Sequence, residues 1–266
     1  MASTFKLPTA IEVLAQAQAG KIRLGDSVDV RPTDLRPGYS PVAEHHPNGY
    51  RTTVDELLAE MIIDSDNTAV DVLLRFIGGP AAVTARMRTL GMSGIRVDRG
   101  EGEIAREAAG LSSAEWRGTV ADFQRERAAV PATAREAAFR QYIDDPRDTS
   151  TPADMARLLV MLQRGEALDA AGTAHLLNLM ARANTGPKRL RAGLPAGTVL
   201  AHKTGTCGSG GDRSSCLNDV GLITLPNGGG HAAVVVYAKG ARSDAAAEQA
   251  IAAVGRAVYQ AWSPRG

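Results

Sequence analysis

The sequence predicts an α/β protein: an all-helical subdomain over residues 1–190, packed on an antiparallel sheet with a closing helix over residues 191–266. Two changes of pattern carry this reading. Apolar residues recur at helical spacing in several segments before about residue 183, and short β-branched runs separated by turn residues replace them after residue 197. Length gives a third observation. A chain of 266 residues with 44% hydrophobic and 22% charged residues fits one large globular domain or two intimate ones.

The elements follow in order. Over residues 3–19, Leu7, Ile11, Leu14 and Ala15 form an apolar stripe. Pro8 falls near the first turn, where a missing N–H costs least, and Gly20 stops the helix. Residues 21–52 are polar and turn-rich. Two short helices are predicted over 53–62 and 66–77, the second broken by Gly78-Gly79-Pro80, and another over 80–91. The stretch 99–151 is polar and rich in Arg, Glu and Ala, with little apolar periodicity before about residue 135. It reads as a long loop, of the kind that is functional or mobile. Helices return over 152–163 and 167–183, with Pro152 placed for a first turn behind a Ser150 or Thr151 cap. Strands are predicted over 197–206, 219–225 and 231–237, the last two joined by a Pro226-Asn227-Gly228-Gly229 turn. An amphipathic helix closes the chain over 243–262.

Charge and composition exclude several classes. A net charge of +1 leaves no electrostatic footprint for nucleic acid. No apolar run reaches the roughly eighteen residues of a membrane span. The five histidines form no metal-binding pattern: His45 and His46 are adjacent in a polar loop, and His202 points to the strand face opposite Lys203. No Gly-x-Ser-x-Gly and no phosphate loop occurs, and no cofactor is expected. Cys207 and Cys216, flanked by Gly and Ser, fit either a free buried pair or a small loop disulfide, the latter implying an oxidising compartment.

Three short motifs carry chemistry. They are Ser3-Thr4-Phe5-Lys6, Ser65-Asp66-Asn67 and Lys203-Thr204-Gly205, in that order. Each is weak alone; together they are specific. Ser3 and Lys6 share one face of a helix start. A serine hydroxyl needs a nearby base, and a lysine amine serves only when burial or positive charge, here expected from Lys203, lowers its pKa. The Ser3 backbone N–H at the helix start supplies half of an oxyanion hole, and Thr206 on an edge strand is placed for the other half. Ser65 on its turn can relay a proton, and Asn67 can hold Lys6 and a substrate amide. A helix cap is the competing role for Ser65 or Asp66.

These residues resemble the class A serine β-lactamases, and the likeness spans residues 1 to about 262. Tyr39-Ser40-Pro41-Val42 looks like the family's loop facing the substrate. Arg96 to Ile104 is similar to the start of its Ω loop, and Arg147 to Met155 to the loop's end and the following helix. The resemblance implies that Ser3 attacks the lactam carbonyl and that Lys6, Glu101 or both take its proton. It implies that Ser65 protonates the lactam nitrogen and that Glu101 activates the hydrolytic water. Tyr39, Asn67, Lys203, Thr204, Gly205 and Thr206 would bind substrate, and Arg99 with Asp148 would close the base of the loop. The implied product is a monomer with a small-molecule β-lactam as its partner, conferring antibiotic resistance.

The chain departs from the family's pattern in four places. The asparagine expected four residues after Glu101 is Ala105, so slow deacylation or another group is expected. The loop is far longer than usual, and residues 107–140, with Trp116 and Phe123, are expected to form either a lid or a disordered surface insertion. Some members bridge a cysteine at the place of Cys207 to the residue before the nucleophile. That residue is Ala2, which leaves Cys216 as the partner in this chain. Finally, the family's signal peptide, N-terminal helix and first two strands precede the point where this chain opens. The expectation is a start assigned at an internal methionine, with a periplasmic or secreted full-length protein. Two other functions share the three motifs: a penicillin-binding D-alanyl-D-alanine peptidase, and a β-lactam receptor that is acylated without turnover.

Overall fold

A computed structural model describes residues 1–112, 118–210, 213–214 and 216–262. Trp116 therefore lies outside the described residues. A 3-10 turn, Ala2–Phe5, leads into α1, Lys6–Gln18, whose residues from Lys6 to Ala15 are all buried. Burial on every side makes α1 the axis of the helical body, with α4 (Asn67–Phe76), α5 (Pro80–Thr89) and α10 (Ala170–Ala181) packed on it. Leu7, Ile11 and Leu14 enter one core with Val70, Leu73, Leu158 and Leu176.

The predicted helix over 3–19 thus begins as a 3-10 turn. The polar stretch 21–52 also holds more order than expected. Strands β1 (Ser27–Val30) and β2 (Tyr50–Thr53) pair antiparallel, with Ser27 opposite Thr53, and a five-residue helix α2 (Pro41–His45) lies between them. Four-residue strands carry too short an alternation for a period to emerge; only Val28 and Val30 point inward from β1.

Helix α3 (Val54–Ala59) opens with a capping box between Thr53 and Glu56 and runs into a π-helical turn, Glu60–Asp64. That wider turn delivers Ser65 in the left-handed conformation, φ 63°. Within it, burial and the charges of Asp66, Glu56 and Asp64 push the Glu60 carboxyl up to about 7, against the opposing hydrogen bond from the Tyr50 hydroxyl. A carboxyl raised in the folded state contributes stability below its ordinary unfolded pKa and loses it as pH rises through about 7. Glu60→Gln, which keeps an acceptor for Tyr50, should therefore raise Tm relative to wild type at pH 8, with the difference shrinking toward pH 5. A pH-independent difference in paired melting curves would contradict this.

Three helices occupy the stretch read as a loop: α6 (Glu101–Ala108), α7 (Val120–Ala129) and α8 (Ala132–Asp144). Much of the expected surface insertion is therefore helical. Phe123 is the only buried residue of α7 and α8 has none, so neither helix leaves an apolar stripe in the sequence. The neck of the excursion is pinned by the Ile95–Ser150 bridge, by Arg96 N–H to Thr149 O (3.0 Å) and by Thr151 N–H to Gly94 O (3.1 Å). Helix α9 (Pro152–Gln163) follows, capped by Thr151.

The main sheet has the order β3 (Leu200–Thr206), β6 (Cys216–Thr224), β7 (His231–Lys239), antiparallel throughout, with the short pair β4 (Ser209–Gly210) and β5 (Arg213–Ser214) beyond the end of β3. Side chains alternate cleanly between two cores. Ala201, Val220 and Leu222 face the helical body, while Leu200, Leu217, Ile223 and Val234 face α11 (Asp244–Trp262) with Ile251. Lys203 sits opposite Val220 and shares the inner face; His202 falls on the other, where its Nδ1 lies 2.8 Å from buried Asp219 Oδ1. Central strand β6 is buried almost throughout because both faces and both edges are covered. Among the described residues no single helix is long and apolar enough to cross a membrane.

Candidate active site

Three segments from the motifs meet at one place. The 3-10 turn before α1 brings Ser3, α1 brings Lys6, the turn before α4 brings Ser65, the first residue of α4 is Asn67, and edge strand β3 brings Lys203 to Thr206. Strand β3 packs directly on the 3-10 turn. A Cβ at Gly205 would stand 3.0 Å from Met1 O and 3.1 Å from Ser3 N, so glycine is what allows the edge strand to come so close. Ala2, next to Ser3, is held at φ 47°, a left-handed conformation that a non-glycine residue adopts at a cost of about 1 kcal/mol.

Lys6 is fully buried and surrounded by oxygen. Its Nζ donates to Ser65 O (2.6 Å) and Asn67 Oδ1 (2.7 Å), and lies 3.2 Å from Ser3 Oγ and 3.3 Å from Glu101 Oε1. The two short bonds go to groups that only accept, so they commit two of its hydrogens. The remaining position, a third proton or a lone pair, faces Ser3. Ser3 Oγ in turn donates to Glu101 Oε1 at 3.3 Å. Burial lowers the Lys6 pKa, opposed by the negative charges of Glu101, Asp66 and Asp71. Of the two causes expected from the sequence, burial or the positive charge of Lys203, burial leads. The repulsion is felt by Lys203, which burial and then Lys6 push well below the usual lysine value.

Lys203 Nζ donates to Ser65 Oγ at 2.7 Å and to Thr204 O at 3.0 Å. Ser65 is therefore not a helix cap. Asp66 takes that part: it caps α4 through Ala69 N–H (2.8 Å), and it also accepts from Val42 N–H (2.9 Å) and Ser40 Oγ, fixing the Tyr39–Ser40–Pro41 loop. Tyr39 is 56% exposed, and its carbonyl accepts the Asn67 N–H at 3.2 Å. Thr204 is buried and shares a 2.6 Å hydroxyl contact with Thr185, while Thr206 is exposed at the end of β3.

Glu101 is the first residue of α6, and its position is set from α4. Asp71 accepts Glu101 N–H (2.7 Å) and Gly102 N–H (2.9 Å), and pairs with Arg36. A Cβ at Gly100 would come within 2.6 Å of the Asp71 carboxylate, so this close approach needs glycine. Arg99 and Asp148 form a buried pair at 2.7 Å, and Asp148 Oδ1 also accepts the N–H groups of Asp98 and Arg99. Ala105, on the same helix as Glu101, offers no polar atom beyond its backbone.

Three further residues escaped the sequence reading. Arg189 is buried behind β3, donating to Gly205 O and Asn218 O (3.0 Å each) and to Thr206 Oγ1 (2.7 Å), so it places a positive charge beneath the end of that strand. Asp71 holds the turn bearing Glu101. Tyr142 of α8 lines a cavity of about 390 Å³ that it shares with Ser3, Glu101 and Ile104. Phe123 does not line this cavity, so the insertion reaches the site through α8. Cys207 and Cys216 are joined in a disulfide beyond the last β3–β6 pair, with Cα atoms 5.2 Å apart and Cys207 N–H bonded to Cys216 O. His45 and His46 are exposed away from this site, His46 stacked on Tyr50.

Comparison with known proteins gives a consistent picture. The model of the beta-lactamase enzyme family matches residues 1–262. The chain is 34% identical to beta-lactamase CTX-M-25 from Escherichia coli over 237 residues, covering 89% of this chain and 67% of that protein. It is 29% identical to beta-lactamase VEB-1 from Pseudomonas aeruginosa over 231 residues, covering 86% and 66%. The chain thus spans about two thirds of the length of these curated relatives. Among solved structures, a beta-lactamase from Chitinophaga pinensis DSM 2588 superposes with TM-score 0.80 at 31% identity, covering 99% of this chain and 85% of that one. An ancestral Gram-negative class A beta-lactamase superposes with TM-score 0.75 at 38% identity, covering 98% and 85%.

Proposed function

The chain belongs to the beta-lactamase enzyme family, and from that premise we propose that it hydrolyses β-lactams through an acyl-enzyme on Ser3, in the manner of class A. The observation that supports this most directly is the contact of one hydroxyl, Ser3 Oγ, with both Lys6 Nζ and Glu101 Oε1. The Ser3 oxygen adds to the lactam carbonyl carbon, and its proton passes to the lone pair that burial makes accessible on Lys6, or to Glu101. The backbone N–H groups of Ser3 and Thr206 receive the developing oxyanion. The ring C–N bond then breaks. Ser65 Oγ, hydrogen-bonded to Lys203, gives its proton to the departing nitrogen and recovers one from Lys203; the proton taken from Ser3 offsets it, so the site gains and loses none. Lys203, Thr204 and Thr206 hold the substrate's carboxylate, with Arg189 adding positive charge from behind, and Asn67 and Tyr39 line the acyl side. Glu101 then takes a proton from water as the water oxygen adds to the ester carbon; the ester C–O bond breaks, and that proton returns from Glu101 to the departing Ser3 oxygen, directly or through Lys6. Arg99 and Asp148 act structurally, by closing the neck of the loop that carries Glu101.

The Cys207–Cys216 disulfide supports a periplasmic or secreted location, since such bonds persist in oxidising compartments. Antibiotic resistance follows from the activity, and a monomer suffices for a site built from one chain. The test is repeated turnover. With a chromogenic cephalosporin in large excess, product should exceed enzyme many-fold, and quenched samples should carry one acyl mass on Ser3. A single stoichiometric burst without turnover would favour the acylated-receptor reading, which Ala105 keeps in view; no adduct at all would overturn the acyl-enzyme.

A further inference from the structure

We propose that Tyr142, carried to the site by the inserted helix α8, positions the water that hydrolyses the acyl-enzyme; this rests on the reading of Ser3 and Glu101 given above. A water that attacks an ester carbon must aim a lone pair at that carbon. That fixes its two hydrogens, one toward the general base and one toward a second acceptor. Glu101 is the base. On its own helix, the residue one turn further on is Ala105, whose methyl group accepts nothing. The second acceptor must therefore come from elsewhere around the cavity.

Tyr142 meets the requirements of that place. It lines the same cavity as Ser3 and Glu101, and no hydrogen bond occupies its hydroxyl among the described residues. Of the charges acting on its phenol, Glu101 is the strongest, after burial. Both raise its pKa above the ordinary phenol value, so the group stays neutral beside the carboxylate and its oxygen is free to accept. The side chain is also held firmly. The next two residues are tied to β7, with Lys239 Nζ donating to Ile143 O and to Asp144 Oδ1 at 2.8 Å each. Asp145 is clamped by Arg147 at 2.6 Å and Arg99 at 3.3 Å. Phe139, one turn back, tilts against the Tyr142 ring at 6.0 Å and rests on Gly208 beside the disulfide. A helix anchored at this end to β7, to the neck of the loop and to the turn after β3 has little freedom to withdraw the phenol. Helix α8 thus supplies what Ala105 of α6 lacks.

The experiment separates acylation from deacylation. Stopped-flow and quenched-flow mass spectrometry on wild type, Tyr142→Phe, Ala105→Asn and the double variant give both rate constants with one chromogenic cephalosporin. Tyr142→Phe keeps the ring and its packing, and should slow deacylation roughly tenfold, the scale of one lost hydrogen bond, while acylation stays within about twofold. Ala105→Asn in the Tyr142→Phe background should recover most of that loss, because it restores an acceptor from the other side. The proposal is overturned if Tyr142→Phe deacylates like wild type, if both steps fall in parallel, or if asparagine at 105 gives no rescue. Wild type that never deacylates overturns the hydrolase reading itself, a result distinct from a normal wild type with an unaffected Tyr142→Phe.

Discussion

Ser3→Ala should lower kcat/KM for a β-lactam by on the order of 10⁵-fold and leave no covalent mass on the protein. The size of the effect follows from the lack of a substitute. Ser65 is the nearest other serine hydroxyl in the network, but its oxygen already accepts from Lys203 at 2.7 Å, on the far side of Lys6 from Glu101. Thr4 is buried with its hydroxyl bonded to Met1 O, and Thr206 is bonded to Arg189. None can reach Glu101 and an attacking position together. The fold should not suffer. Among the described residues Ser3 Oγ makes two long contacts, 3.2 and 3.3 Å, while Lys6 keeps its short bonds to Ser65 O and Asn67 Oδ1. An unchanged melting temperature beside lost turnover would place the effect in chemistry. Turnover within tenfold of wild type would remove Ser3 from the mechanism.

The parts of this site that were legible in the sequence are those with short-range spacing. Ser3 and Lys6 lie one helical turn apart, so any helix through them puts both on one face. Lys203, Thr204 and Gly205 lie on a strand whose period of two fixes which of them face inward, and His202 falls on the other face for the same reason. The Arg99–Asp148 pair could be read only through resemblance, since a separation of 49 positions carries no geometric information. What stayed hidden had weak local signals. Helix α8 has no fully buried residue, so its position comes from polar anchors at Lys239, Arg99 and Arg147, and anchors of that kind leave no period. Asp66 was legible as a helix cap, but its bonds from Val42 and Ser40, which join two chain segments, were not. Arg189 is one arginine in an Arg-rich turn, and only the approach of β3 gives it carbonyls to bind. The π-helical turn that presents Ser65 is likewise invisible to a helical period, because it inserts one residue into a pattern already ending.

Glu101→Gln should stop the reaction halfway. Glutamine is nearly isosteric, and the turn that carries residue 101 is held through its backbone, with the N–H groups of 101 and Gly102 bonded to Asp71. Position is therefore kept while basicity is lost. Acylation should persist at a reduced rate, because Ser3 still faces the one uncommitted position on Lys6, and loss of the neighbouring carboxylate removes a charge that raises the Lys6 pKa. A lower lysine pKa supplies more neutral amine at a given pH, which offsets part of the lost assistance from Glu101. Deacylation has no such reserve: Lys6 spends two hydrogens on Ser65 O and Asn67 Oδ1 and faces Ser3, not the cavity where water must stand. The loss there should be on the order of 10³-fold, near the upper part of the range for a general base. A burst of one product per enzyme should be followed by almost no turnover, and intact-mass spectra should show the opened lactam on Ser3 persisting for minutes to hours. Ser3→Ala would show neither burst nor adduct, and Tyr142→Phe would lie between this variant and wild type in the second step only. Steady turnover by Glu101→Gln within tenfold of wild type would mean that another group activates the water, and the long excursion from Arg99 to Asp148 would then need a different reason for being pinned against Ser3.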